Sequence, residues 1–174
     1  MVSKVTFKYA LDTSKLKPED RKKVKEQVGE FVVDRILEEV AKLNSPVKGH
    51  NNFKRLSTVY AKEKSKTTIP VPNLELKGKM LKKLSSKTYK GGVEIGIFDK
   101  TEAQKADNHN KFSGKSKATG VPARKFIPNK ADGEHFKKKI TKAVDKILDK
   151  YEEKALKGEL ARGLNKGIDN GNQD

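Results

Sequence analysis

The sequence predicts an α+β fold: a small antiparallel sheet packed by a long N-terminal helix and a C-terminal helix, with an extended loop and arm between them. Three observations carry that expectation. Val5, Phe7, Tyr9 and Leu11 alternate with polar or small neighbours, which is the period of a half-buried strand. Apolar residues recur at helical spacing over 18–43 and again over 132–157. Gly91-Gly92 precedes the alternating run Val93-Glu94-Ile95-Gly96-Ile97-Phe98, a hairpin signal.

The elements follow in order. Pro18 sits where a first helical turn tolerates it, and Glu19 and Asp20 favour a helix N-terminus. Val24, Val28, Phe31, Val32, Ile36, Val40 and Leu43 make the core stripe of this helix, which Asn44-Ser45-Pro46 ends. Residues 45–73 read as an extended loop containing a short helix over 55–64. Leu74, Leu76, Met80, Leu81 and Leu84 suggest a further helical turn, interrupted by Gly78. Residues 87–90 lead into the hairpin, whose return strand buries Val93, Ile95 and Ile97 on one face. A short polar helix is expected over 101–110.

Residues 111–130 read as a loop and arm. Pro122 and Pro128 fix their own backbone angles and push the residues before them toward extended geometry. Phe126 and Ile127 therefore lie on a segment that is not helical. The closing helix opens at Asp132 or Gly133 and aligns Phe136, Ile140, Val144, Ile147, Tyr151 and Ala155. The expected organisation is one domain over 1–157 and a flexible C-terminal tail over 158–174, where Gly and Asn replace the periodicity.

Composition narrows the function classes. A chain of 174 residues suits one domain. With 33% hydrophobic and 36% charged residues, its core must be modest. There is no cysteine, which excludes disulfides and thiolate metal sites and fits a reducing compartment. No apolar run approaches the ~20 residues that span a bilayer, so a soluble protein without a membrane partner is expected. The net charge of +17 draws polyanions whatever the fold. Of the 40 basic residues only Arg21, Arg35, Arg55, Arg124 and Arg162 are arginine. Base-specific readers favour arginine, whose planar fork makes bidentate contacts with guanine, so a solvated surface or loose phosphate attraction is expected, not base reading.

No catalytic constellation is legible. Gly114-Lys115-Ser116 resembles the end of a phosphate-binding loop, but the position that needs the first glycine is His109. Gly91, Gly92 and Gly96 sit in a hairpin with no helix after them, so they are not a dinucleotide fingerprint. His50, His109 and His135 share no helical face with a plausible ligand pair, and Asp107-Asn108-His109-Asn110 reads as a polar helix end. No serine has a legible base and oxyanion donors. The expectation is a protein that is not an enzyme and takes no cofactor and no metal.

Four pieces of the chain, in order, resemble the virion-morphogenesis or tail-completion proteins of tailed bacteriophages. The first, over 49–64, carries Phe53, Leu56-Ser57 and Tyr60-Ala61-Lys62. The second, over 73–84, looks like a leucine-x-x-glycine-x-leucine-x-x-serine-leucine element. The third is the strand over 92–98. The last comprises 106–112, with its Ala-x-x-His-Asn pattern, and Val121-Pro122-Ala123-Arg124-Lys125-Phe126-Ile127, similar to an Ile-Pro-Ala-Arg-Pro-Phe-Leu arm. The resemblance covers about residues 45–150. Lys77, Lys125 and Phe112 depart from the family's usual Thr or Ser, second proline and glycine.

The resemblance implies a non-enzymatic structural protein of the virion neck or tail end, completing the tail or joining head and tail. It also implies a homo-oligomeric ring around the DNA channel, against connector, tail-terminator or tail-tube proteins, in the virion and, during assembly, the host cytoplasm. On this reading Arg124, Phe126 and Ile127 form a subunit or partner interface, with Phe126 as apolar anchor and Arg124 supplying charge-assisted hydrogen bonds. Lys115 and Lys117 face DNA or an acidic neighbouring ring. Phe126→Ala is then expected to fold and fail to assemble.

The alternative is a basic, sequence-non-specific nucleic-acid-binding protein. That would need aromatic side chains interleaved with lysines on a strand platform. The run 93–98 offers one aromatic and carries Glu94, which counts against it.

Overall fold

A computed structural model describes residues 6–47, 53, 56–66, 74, 79–111, 124–128 and 133–169. The expected α+β architecture is present: a three-stranded antiparallel sheet packed by helices. In chain order the elements are β1 (Thr6–Ala10), α1 (Pro18–Ala41), α2 (Thr58–Ser65), a 3-10 turn (Leu81–Lys83), β2 (Leu84–Tyr89), β3 (Gly92–Ile97), α3 (Lys100–Lys111) and α4 (Gly133–Asp169). The strand order β1-β3-β2 puts the hairpin's return strand in the centre.

Register assigns the two faces. Phe7 pairs with Ile95 and Tyr9 with Val93, while Leu84 pairs with Ile97 and Ser86 with Ile95. Side chains of directly opposed residues share a face, so these residues line the inner one. Val24, Val28, Val32, Ile36 and Val40 of α1 are all buried, and they pack on this face together with Val93, Ile95 and Ile97. The ring of Phe136, near the start of α4, meets Phe7 edge-on at 6.0 Å and 75°. The core therefore lies between one sheet face and two helices.

Gly29 is where α1 comes closest to the sheet. A Cβ there would lie 2.7 Å from Ser86 Cβ and closer still to its Oγ. Alanine's better helix propensity is worth at most about 1 kcal/mol, whereas overpacking costs about 1–3 kcal/mol. Gly29→Ala is expected to lower stability by about 1–2 kcal/mol, with Ser86→Gly relieving part of the loss in the double variant. A urea titration of all four proteins checks this.

Lys25, buried on α1, donates from Nζ to the carbonyls of Tyr89 (3.1 Å) and Lys90 (2.8 Å), tying the helix to the hairpin turn. At Gly92 a Cβ would run into the Tyr9 carbonyl, and φ there is 151°, so only glycine fits. The far end of α1 closes with a Schellman turn. Leu43 N–H donates to Val40 O and Asn44 N–H to Glu39 O, both at 2.9 Å, while Leu43 takes the left-handed φ of 60°.

Two boundaries differ from expectation. β2 begins at Leu84, where a helical turn was the sequence reading. Ser85 to Tyr89 carries little apolar alternation because β2 is an edge strand with most of its residues exposed. The last helix does not give way to a tail at Gly158 but continues to Asp169. Gly158, Gly163 and Gly167 all lie within this stretch; each costs about 1 kcal/mol, and Leu156, Lys157, Glu159, Leu160 and Ala161 around the first are strong helix formers. Leu156 and Leu160, one turn apart on α4, are 60% and 66% exposed.

Candidate functional site

The segment expected to be an interface is built from the end of α3 upward. Asp99 caps α3, its Oδ1 accepting from Glu102 N–H at 2.9 Å. The helix buries Ala103 and Ala106 against the core and ends with His109, Asn110 and Lys111. Asn110 then grips the extended residues Arg124 to Pro128. Its Oδ1 accepts from Phe126 N–H at 2.9 Å and from Ile127 N–H at 3.4 Å, and its Nδ2 donates to Ile127 O at 2.8 Å. Arg124 N–H donates to His109 O at 3.0 Å. On the other side the Ser45 hydroxyl donates to Lys125 O and accepts from Val47 N–H at 3.2 Å. Five residues without regular secondary structure are thus held from both flanks.

This pinning explains how a non-helical, non-strand segment can be buried, since its backbone polar groups find side-chain partners. Asn110→Ala removes both partners at once. It is expected to cost about 2 kcal/mol, and Asn110→Asp, which keeps the acceptor and loses the donor, about half as much. Equilibrium unfolding in urea reads both. Equal stability of the alanine variant and the parent protein would show that the clamp is dispensable.

His109 is half-buried, and burial together with the positive charge of Arg124 lowers its pKa from 6.5 to about 4. It is neutral at physiological pH. No cluster of His, Cys, Asp and Glu able to hold a metal ion occurs among the described residues.

The expected interface residues have a different place in the molecule. Phe126 is 0% exposed, Ile127 1% and Arg124 5%. Phe126 and Ile127 belong to the same apolar cluster as Val28, Ile95 and Phe136. In this conformation both side chains lie inside the chain's own apolar cluster, so residues 124–128 pack on their own domain, where the sequence reading has Phe126 as an anchor for a partner. The reason is the Asn110 clamp, which no local pattern reveals. Lys115 and Lys117 lie outside the described residues, as do Val121, Pro122 and Ala123.

A second surface emerges from the register. Lys8 and Glu94 are paired across β1 and β3, Lys87 and Glu94 across β2 and β3, and Tyr89 and Gly92 one step along. These residues share the outer face of the sheet, with Lys8, Lys87 and Tyr89 exposed. Lys8 Nζ lies 5.4 Å from the Tyr89 ring centroid and Lys87 Nζ 4.1 Å from that of Phe98, within cation–π range. The sequence count of one aromatic near this strand missed Tyr89, which arrives from the neighbouring strand. The two-residue turn at Lys90-Gly91 sets that register, and counting back from it would have placed Tyr89 opposite Gly92.

Among the described residues no helix is long and apolar enough to cross a membrane. Comparison with protein-family models, with curated proteins and with solved structures finds no match.

Proposed function

We propose that the chain is a structural protein of the tailed-phage virion, at the neck or tail end, where it completes the tail or joins head and tail. It acts as a homo-oligomeric ring around the DNA channel, against connector, tail-terminator or tail-tube proteins. The observation that carries this reading is the coupling of two elements on which the resemblance rests. The Ala-x-x-His-Asn pattern ends in Asn110, and the Arg-x-Phe-Ile arm is what Asn110 holds. Elements sixteen residues apart are thus joined by hydrogen bonds, which supports reading them together.

The net charge of +17 suits a channel that carries DNA, and Lys115 and Lys117 are proposed to face that DNA or an acidic neighbouring ring. Because Phe126 is inside the domain, subunit contacts fall to other surfaces. Mass spectrometry of gradient-purified virions tests the assignment, together with electron microscopy of particles made without this gene product. The expected result is the polypeptide in the particle at a fixed copy number, and unjoined heads and tails or incomplete tails in its absence. Normal infectious particles lacking the polypeptide would overturn it.

A further inference from the structure

The outer face of the sheet combines two features that a solvated surface does not need. It is basic at its edges, through Lys8 on β1 and Lys87 on β2, and it holds aromatic rings from Tyr89 and Phe98. Each ring is met by a lysine from a different part of the sheet. Lys8 and Tyr89 come from the two edge strands, so they meet across the central strand, at the level where Gly92 has no side chain. Each ammonium lies over its ring, so a stacking base takes the lysine's place on the ring, and the displaced ammonium is left within reach of the adjoining phosphate. The distance from Gly92 to Phe98 along β3 is about 20 Å, enough for a few nucleotides.

We propose that this face binds single-stranded nucleic acid without sequence preference. Bases stack on Tyr89 and Phe98, and the phosphates between them take Lys8 and Lys87. A duplex keeps its bases stacked inward and offers such rings nothing, so it would engage the lysines alone. An acidic protein segment would likewise use the charges and leave the rings idle. Glu94, between the two lysines in the register, works against a phosphate and limits affinity. The proposal does not depend on the virion assignment, because the purified chain by itself is sufficient to test it.

The test is fluorescence anisotropy of the full chain with labelled oligo-dT and with a duplex of equal length, at low and at physiological salt. The expected result is tighter binding of oligo-dT than of the duplex. Tyr89→Leu, at an exposed position, should weaken oligo-dT binding roughly fivefold or more while leaving duplex binding unchanged. Lys8→Ala with Lys87→Ala should flatten the salt dependence of oligo-dT binding by a slope of about 1.4. Glu94→Gln should tighten it.

Phe98 is partly buried, so Phe98→Leu is scored only if its circular dichroism matches the parent; Tyr89→Leu and Glu94→Gln decide the matter without it. Equal affinity for duplex and single strand with no effect of Tyr89→Leu would overturn the proposal. So would displacement of oligo-dT by polyglutamate as effective as that by unlabelled oligo-dT, or no binding at low salt.

Discussion

Phe126→Ala is expected to lower the stability of the folded chain by about 3–5 kcal/mol. The side chain is completely buried, and it packs in the cluster that joins α1, β3 and α4. Removing most of a ring there forfeits both its transfer free energy and the contacts its neighbours made with it. The loss cannot be recovered by collapse of the arm, because Asn110 and Ser45 hold the backbone on both sides. A domain of this size is stable by about 5–15 kcal/mol, so the variant should be marginal at room temperature. Chemical denaturation gives the value, and Phe126→Leu, which keeps much of the volume, should cost clearly less. A variant with the parent's unfolding midpoint but lost self-association would instead return Phe126 to the role of an anchor for a partner.

That expectation reverses the one drawn from the sequence, and the reason is instructive. Extended geometry and an apolar side chain at Phe126 were both legible, since prolines act on their immediate neighbours. What covers the side chain was not, because it depends on a hydrogen bond between Asn110 and a backbone sixteen residues away. Long helices and the central strand were legible for the opposite reason: α1 and β3 each repeat one apolar period and are buried along one whole side. β2 was partly hidden, as an edge strand has little apolar signal beyond Leu84. Tyr89 was hidden as a surface residue, since its meaning lies in the register with Gly92 and in Lys8, two strands away. The end of α4 was hidden because glycine weakens a helix without stopping it.

The same division applies to charge. The total of +17 is a property of the sequence, but where it acts is a property of the fold. Lys25 spends its ammonium on two carbonyls of the hairpin turn, and Lys105 and Lys137 pair with Glu102 and Glu134 one turn away. Lys8 and Lys87 lie over rings on an open face. An ion pair exposed on both sides, as Lys137–Glu134 is, contributes little, about 0–1 kcal/mol, so the distribution of the exposed charge matters more for partners than for stability.

Stability of the α3–arm junction should fall in acid, and His109 makes the sign definite. Its pKa is lowered from 6.5 to about 4 in the folded chain, first by burial and then by the charge of Arg124. Above pH 6.5 both folded and unfolded chains carry the neutral ring, and the group has no effect on stability. As pH falls from 6.5 to about 4 the unfolded chain takes up a proton that the folded chain refuses, so unfolding gains ground throughout this interval. Below about pH 4 both are protonated and the difference no longer grows. At about 1.4 kcal/mol per pH unit the whole interval carries an upper bound of about 3.5 kcal/mol, and the ring's partial exposure to water brings the expected loss nearer 2 kcal/mol. His109→Gln removes the titration while keeping a neutral polar side chain, so its stability should decline less than the parent's between pH 6.5 and 4. Hydrogen exchange of the Phe126 and Ile127 amides locates the effect, because protonation beside Arg124 loosens the segment those amides anchor. Parallel stability curves for the two proteins across this interval would show that neither burial nor Arg124 disfavours the charged ring.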